Sequence, residues 1–226
     1  EAAGRAAAVL EAWFPGQAGA EAIADVLFGA LNPGGKTTLS FSRGVGLQPA
    51  FYNHKFLSGG IPRLPEFKPV FPFGHGLSYT RFAYTDLALS AAQVPVEGEI
   101  TATCVVKNIG ERAGDEVVQL YVQDLCASVT RPVKELKGFV RLRLEPGQDA
   151  RVRFTLPADL FAFTGPSFEK IVEPGDMRIM IGASSEDIRL QGEFALVGSV
   201  RLVGPNRTLS SRVAVEPLTK EQATNG

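Results

Sequence analysis

The chain has 226 residues, 45% hydrophobic and 21% charged, with 23 Lys+Arg against 24 Asp+Glu, 2 His, 2 Cys and 1 Trp. That is enough ordinary globular sequence to bury a core in one large domain or two small ones, and it argues against wholesale disorder. The net charge of −1 lacks the basic excess of a nucleic-acid binder, no apolar run of about 18 residues predicts a membrane span, and the scattered Cys and His give no zinc-ligand spacing.

The N-terminal stretch EAAGRAAAVLEAWFPG lacks the layout of a secretory signal peptide. Its alanines, with Val9 and Leu10, predict a first helix that Pro15-Gly16 breaks. A second helix is expected from about Ala20, where Ile23, Val26 and Leu27 recur at helical spacing and Ala24 and Phe28 widen the apolar face. Gly29 lies near its end, and Asn32-Pro33-Gly34-Gly35 stops it. Residues 37–41 suggest a strand. From there to about Pro72 the chain is rich in Pro and Gly without periodicity, so it must lean on another part of the molecule to be ordered.

After Tyr79 the pattern changes to period two. Strands are expected near 83–90, 99–107, 116–124, 136–144, 150–156, 177–182 and 188–196, separated by turns such as Glu145-Pro146-Gly147 and Glu173-Pro174-Gly175. Short strands at this spacing predict an antiparallel β-sandwich. Val140, Leu142 and Leu144, and likewise Val152 and Phe154, are expected to face its core, with Arg141, Arg143, Arg151 and Arg153 facing water. The tail suggests one more strand pair, 200–203 with 212–215, and a frayed polar end over 219–226.

Few residues carry an obvious chemistry. The run FGALNPGGKTT imitates a phosphate-binding loop, but Ala30 stands where the first Gly is required, and a helix precedes the loop instead of following it. The four arginines of the alternating strands form a solvated face balanced by acids, not a phosphate stripe. Cys104 and Cys126 are expected to be buried or half-buried free thiols, although a bridge between the two sheets is conceivable. His54 and His75 lie in the irregular segment with no Ser or Cys partner at a recognisable elbow. The carboxylates Asp115, Glu116, Asp124, Glu135, Asp176, Glu186 and Asp187 sit at strand ends or turns, where solvation is the expected state, and their spacing pairs no two of them across a cleft.

The segments AWFPGQAGAEAIADVLFGALNPGGK and PVFPFGHGLSYTRFAY resemble the C-terminal half of glycoside hydrolase family 3, the β-glucosidase group. The runs NIGERAGDEVVQLYVQDLCASVTRPVKELKGF, LEPGQDARVRF, VEPGDMRIMIGASSEDIRL and GEF resemble that family's fibronectin type III-like domain, so the likeness spans about 13–197. The resemblance implies a mainly β fold, a fibronectin type III-like sandwich preceded by part of an α/β sandwich domain. Residues 1–80 would close that α/β domain and link it onward, 81–197 would be the fibronectin-like module, and 198–226 a C-terminal extension.

In the family, a (β/α)₈ barrel carries an aspartate nucleophile, and the α/β sandwich usually supplies a glutamate acid/base upstream of the W-F-P-G-Q stretch. The resemblance therefore implies that this chain holds no catalytic, cofactor-binding or metal-binding residue. Its expected partners are the barrel and the rest of the α/β sandwich of the same enzyme, in one polypeptide or as a separate chain left by cleavage or a split gene, with a β-glucoside bound mainly outside this chain. No nucleic acid, membrane or cofactor is expected, and the family implies a periplasmic or secreted location.

Within that picture Phe71-Pro72-Phe73-Gly74 is expected to glue the two domains, and Tyr52, Asn53, His54 and Lys55 could approach an active-site rim. The alternative is an independent carbohydrate- or protein-binding module. The sandwich segment lacks Trp, and its Tyr121 and Phe residues are expected in the core, which counts against exposed sugar-binding aromatics.

Overall fold

The computed structural model describes residues 2–56 and 68–218. Two sheets pack face to face. One has the order β1 (Phe82–Leu89), β3 (Glu99–Asn108), β6 (Asp149–Pro157), β12 (Arg212–Pro217). The other runs β2 (Gln93–Pro95), β10 (Ile188–Val197), β9 (Gly175–Gly182), β4 (Gly114–Asp124), β5 (Glu135–Leu144). Pairing is antiparallel except between β2 and β10. Residues β7 (Phe163–Thr164), β8 (Lys170–Val172) and β11 (Arg201–Leu202) make a small third sheet. The mainly β sandwich expected from period two is thus the fold observed.

The alternation drives the packing. In β6, Ala150, Val152, Phe154 and Leu156 are buried while Arg151 and Arg153, which alternate with them, are exposed. They meet Val118, Leu120, Ile179 and Ile181 from the facing sheet, which are also fully buried. On β5, Leu142 and Leu144 are buried and Val140 is partly covered, as the pattern predicts. The turn into β6 needs Gly147, whose φ of +79° strains any residue with a Cβ. At the same end, buried Asn108 closes the turn before β4. Its Oδ1 accepts from Thr80 Oγ1 (2.7 Å) and Gly110 N (3.0 Å), and its Nδ2 donates to Arg112 O (2.7 Å) and Leu144 O (2.9 Å). Four bonds satisfy a carboxamide that would be costly to bury unpaired.

The N-terminal segment departs from expectation. Among its described residues α-helix forms at α1 (Ala2–Arg5) and α2 (Gly19–Leu27), with a single 3-10 turn at Val45–Leu47. Between them Trp13 and Gly16 adopt positive φ (49° and 69°), and the alanine run 6–10 is exposed and non-helical. Propensity alone does not hold so short a helix where no apolar partner covers it. The expected strand at 37–41 reduces to a single bridge, Phe41 to Phe71.

The tail strands do not pair with each other: Arg201–Leu202 joins β8, and Arg212–Pro217 joins β6. The frayed end expected at 219–226 lies outside the described residues. No bridge links the cysteines. Cys104 is buried, with its pKa pushed up by burial to about 12, so it stays a neutral thiol. Cys126 is exposed, not half-buried as expected, because it follows the last residue of β4 where the chain leaves the sheet. Phe139 and Phe168 also stand outside the core, 63% and 91% exposed.

Truncating Phe154 to Ala should cost about 3–5 kcal/mol, as a fully buried aromatic leaves a cavity that the sheets cannot close. Arg153→Ala should stay within about 0.5 kcal/mol. Urea unfolding followed by circular dichroism checks both.

Candidate functional site

The feature that stands apart from an ordinary sandwich is β4. Its inward parity, Val118, Leu120 and Val122, belongs to the core, yet Gln119 and Tyr121 on the outward parity are buried too, at 3% and 0% exposure. What covers them is the irregular N-terminal segment. Gln119 Nε2 donates to Gly74 O (3.1 Å) and to Ala183 O (2.7 Å), while its Oε1 accepts from Tyr121 OH (2.6 Å). Gly74 has φ +78°, and a Cβ there would overlap the Gln119 carboxamide. Only glycine allows this approach. Phe73 O also accepts from Ser185 N (3.0 Å).

Aromatic rings seal the contact. Tyr52 stacks on Phe73 (4.3 Å between centroids) and meets Tyr121 edge-on (5.8 Å), and its hydroxyl accepts from Leu136 N (3.1 Å). Phe71 stacks on His75 (5.4 Å) and touches Phe41, which in turn meets Trp13. Two passes of chain hold each other here: Thr37 N donates to His75 O (2.8 Å), Gly74 N to Thr37 O (2.8 Å) and Phe41 N to Phe71 O (2.8 Å). The described parts of the irregular stretch therefore lean on the sheet, as expected.

Beside the rings, Lys36 Nζ reaches Glu116 Oε1 at 2.9 Å, with side-chain exposures of 13% and 5%. The same oxygen accepts from Val117 N (2.9 Å). Glu116 corrects the expectation of a solvated turn carboxylate, because Lys36 arrives from eighty residues away to pair it. This pair lines a depression of about 410 Å³ shared with His75, Thr80, Asp187 and Arg189. Desolvation, reinforced by the charge of Lys36, lowers the His75 pKa below its usual 6.5, and the side-chain bond from Arg189 holds Asp187 below the normal carboxylate range.

The other candidate residues have structural partners. His54 O accepts from Val133 N (2.9 Å), and Lys55 bridges to Pro132. Asp115 pairs with Arg141, Asp124 with Arg131 (3.6 Å) and Glu186 with Lys134 (3.5 Å). Burial raises the Asp124 pKa, so that carboxylate too is less solvated than expected. The arginine face is solvated and balanced by Asp115, Glu145 and Glu216, in line with the sequence pattern. Among the described residues no group of three or more His, Cys, Asp or Glu could hold a metal ion. Sequence reasoning missed Gln119 and the Lys36–Glu116 pair; the one available signal was a glutamine inside the otherwise apolar run 117–122 of β4.

Helix α2 docks by its C-terminal end. Tyr79 OH donates to Val26 O (2.7 Å), Asn32 Oδ1 accepts from Tyr79 N (2.7 Å) and Ser78 Oγ (3.1 Å), and Arg112 Nη1 donates to Gly29 O (3.3 Å). Its apolar face is half-covered at Ile23, Ala24 and Val26 and open at its end, where Leu27 is 63% exposed and Phe28, just past the helix, 90%.

Residues 1–79 match the glycosyl hydrolase family 3 C-terminal domain, and residues 116–185 match a fibronectin type III-like domain. The chain belongs to glycoside hydrolase family 3. It is 41% identical over 206 residues to a periplasmic beta-glucosidase of Salmonella typhimurium, covering 85% of this chain and 26% of that protein. A beta-xylosidase of Formosa agariphila is 43% identical over 182 residues, 79% of this chain and 25% of the relative. Among solved structures, a β-glucosidase from Erythrobacter marinus superposes with a TM-score of 0.81 at 38% identity, covering 87% of this chain and 26% of that one. The chain thus spans about a quarter of the length of the relatives it matches. Seen against the family 3 matches, the Gly74–Gln119 contact joins the two matched segments directly.

Glu116→Gln should cost about 3 kcal/mol, since it leaves the Lys36 ammonium buried without its counter-charge. Replacing both partners by apolar residues (Lys36→Met with Glu116→Leu) should cost less; thermal unfolding of the three proteins checks the order. Because the His75 pKa is lowered on folding, the unfolded chain binds more protons below pH 6.5. The His75 contribution to stability is present above pH 6.5 and is lost as pH falls toward its folded value. His75→Phe should flatten that part of a stability-versus-pH curve.

Proposed function

We propose that this chain is the C-terminal structural part of a retaining, exo-acting β-glycosidase, a β-glucosidase that releases terminal β-D-glucosyl residues. Residues 1–80 complete an α/β sandwich domain, 81–197 form the fibronectin-like module, and 198–226 extend it. The observation that carries the proposal is the seam on β4, where the family 3 segment is fixed to the sandwich by the Gln119 carboxamide, stacked rings and a buried ion pair. That attachment makes the sandwich a brace.

The chemistry is assigned to the rest of the enzyme, a (β/α)₈ barrel and the remaining α/β sandwich. A retaining mechanism needs two carboxyl groups about 5 Å apart across a sugar. Glu116, Asp115, Asp124 and Asp187 are each bound to a cation here, which supports a silent role for this chain. The exposed Leu27 and Phe28 face on α2 supports a covering partner from the same protein.

The purified chain should not turn over p-nitrophenyl β-D-glucopyranoside or the corresponding β-xyloside, whereas the full-length enzyme should prefer the glucoside. Turnover by the chain that disappears when one of its own carboxylates is replaced would overturn the proposal.

A further inference from the structure

Strand β12 ends the four-stranded sheet, and among the described residues no strand pairs with its outer edge. All six of its residues are exposed. Its inner edge follows β6 in register, with Arg212 opposite Thr155, Ala214 opposite Arg153 and Glu216 opposite Arg151. Leu218 N continues the ladder by donating to Asp149 O (3.1 Å). Backbone groups alternate in direction along an antiparallel strand. Residues 212, 214 and 216 therefore share the parity that bonds to β6, and the N–H and C=O groups of Val213 and Val215 point outward. Pro217, which has no N–H to offer, falls on the outward parity and ends the open run.

The sequence of this edge, Arg212-Val213-Ala214-Val215-Glu216, reads with opposite charges at equal distances from Ala214. We propose that β12 pairs antiparallel with the β12 of a second copy of this chain, about a two-fold axis through Ala214. That register sets Arg212 against the other copy's Glu216 twice, and Val213 against its Val215 twice. It also makes the outward-pointing residues the hydrogen-bonded pairs, so backbone direction and side-chain charge select the same register. Val213 and Val215 share the face of Phe154 and Val152, opposite which they lie, yet remain 37% and 39% exposed. Pairing extends the apolar face across the axis.

Charged residues and proline usually protect an edge from indiscriminate pairing. Here they leave one arrangement favourable. A parallel partner in register would place Arg212 on Arg212 and Glu216 on Glu216, and like charges directly opposite are destabilising. The present partners of these side chains, Glu99 for Arg212 and Arg151 and Arg153 for Glu216, are exposed pairs that a new charge opposite can share. Five residues on each side make a small interface, so the dimer should be weak and dependent on concentration.

The test uses the whole chain with the exposed Cys126 changed to Ser. Facing residues of a non-hydrogen-bonded antiparallel pair have Cα atoms about 4.5 Å apart, within disulfide reach. Ala214→Cys should give a covalent dimer on mild oxidation, and Arg212→Cys, displaced from the axis, should not. In sedimentation equilibrium the parent chain should dimerise. Arg212→Glu and Glu216→Arg should each weaken the dimer about tenfold or more, and the double reversal should restore it. Val215→Pro, which removes an outward N–H and no bond to β6, should abolish dimerisation while leaving the circular dichroism spectrum unchanged. A strictly monomeric chain, or a dimer indifferent to both charge reversals and to Val215→Pro, overturns the proposal.

Discussion

Burying a carboxamide on the outer face of β4 is the constraint on which the docking of the Lys36–Phe41 and Phe71–His75 passes against the sandwich depends. A sheet strand can place a polar side chain on its solvent face at no cost, but Gln119 is 3% exposed and must find partners within the protein. It finds two carbonyls, from Gly74 and Ala183, and one hydroxyl, from Tyr121. Meeting the first requires a backbone close enough to exclude any Cβ at residue 74. Once Gly74 is fixed, Phe73 and His75 are placed on either side of it. The paired passes 37–41 and 71–75 then bring Lys36 to Glu116. The two passes Lys36–Phe41 and Phe71–His75 are ordered by that chain of contacts and not by regular structure of their own.

What could be read from the sequence divides along the same line. Strands β1, β3, β5, β6 and β10 show period two because each has a core face and a lighter face, and their positions, like that of β9, agree with the expectation to within a residue or two. β4 was legible as a strand, but its alternation describes only one of its two buried faces. Glu116 had the look of a solvated carboxylate because its environment is set by Lys36, eighty positions earlier, and no local pattern encodes such a pair. The short strands β2, β7 and β8 are two or three residues long, below what alternation can register. The alanine run at 6–10 failed in the opposite sense, showing strong propensity with no packing to make use of it. The charged pairs around the candidate seam were likewise visible only as unpaired residue types.

Two surfaces of the molecule are unfinished, and they are unfinished in different ways. Around α2 the open groups are side chains: Leu27, Phe28 and, further up the chain, Trp13 and Phe14, at exposures from 55% to 99%. Dispersion and hydrophobic burial are non-directional, so such a patch accepts any complementary apolar shape and supplies little selectivity of its own. At β12 the open groups are backbone donors and acceptors at fixed spacing, framed by one cation and one anion. A directional edge with a signed charge at each end discriminates between registers by the difference between attraction and repulsion, which burial alone cannot do. The apolar surface therefore offers burial without register. The strand edge carries its own specificity and can be satisfied by a separate molecule.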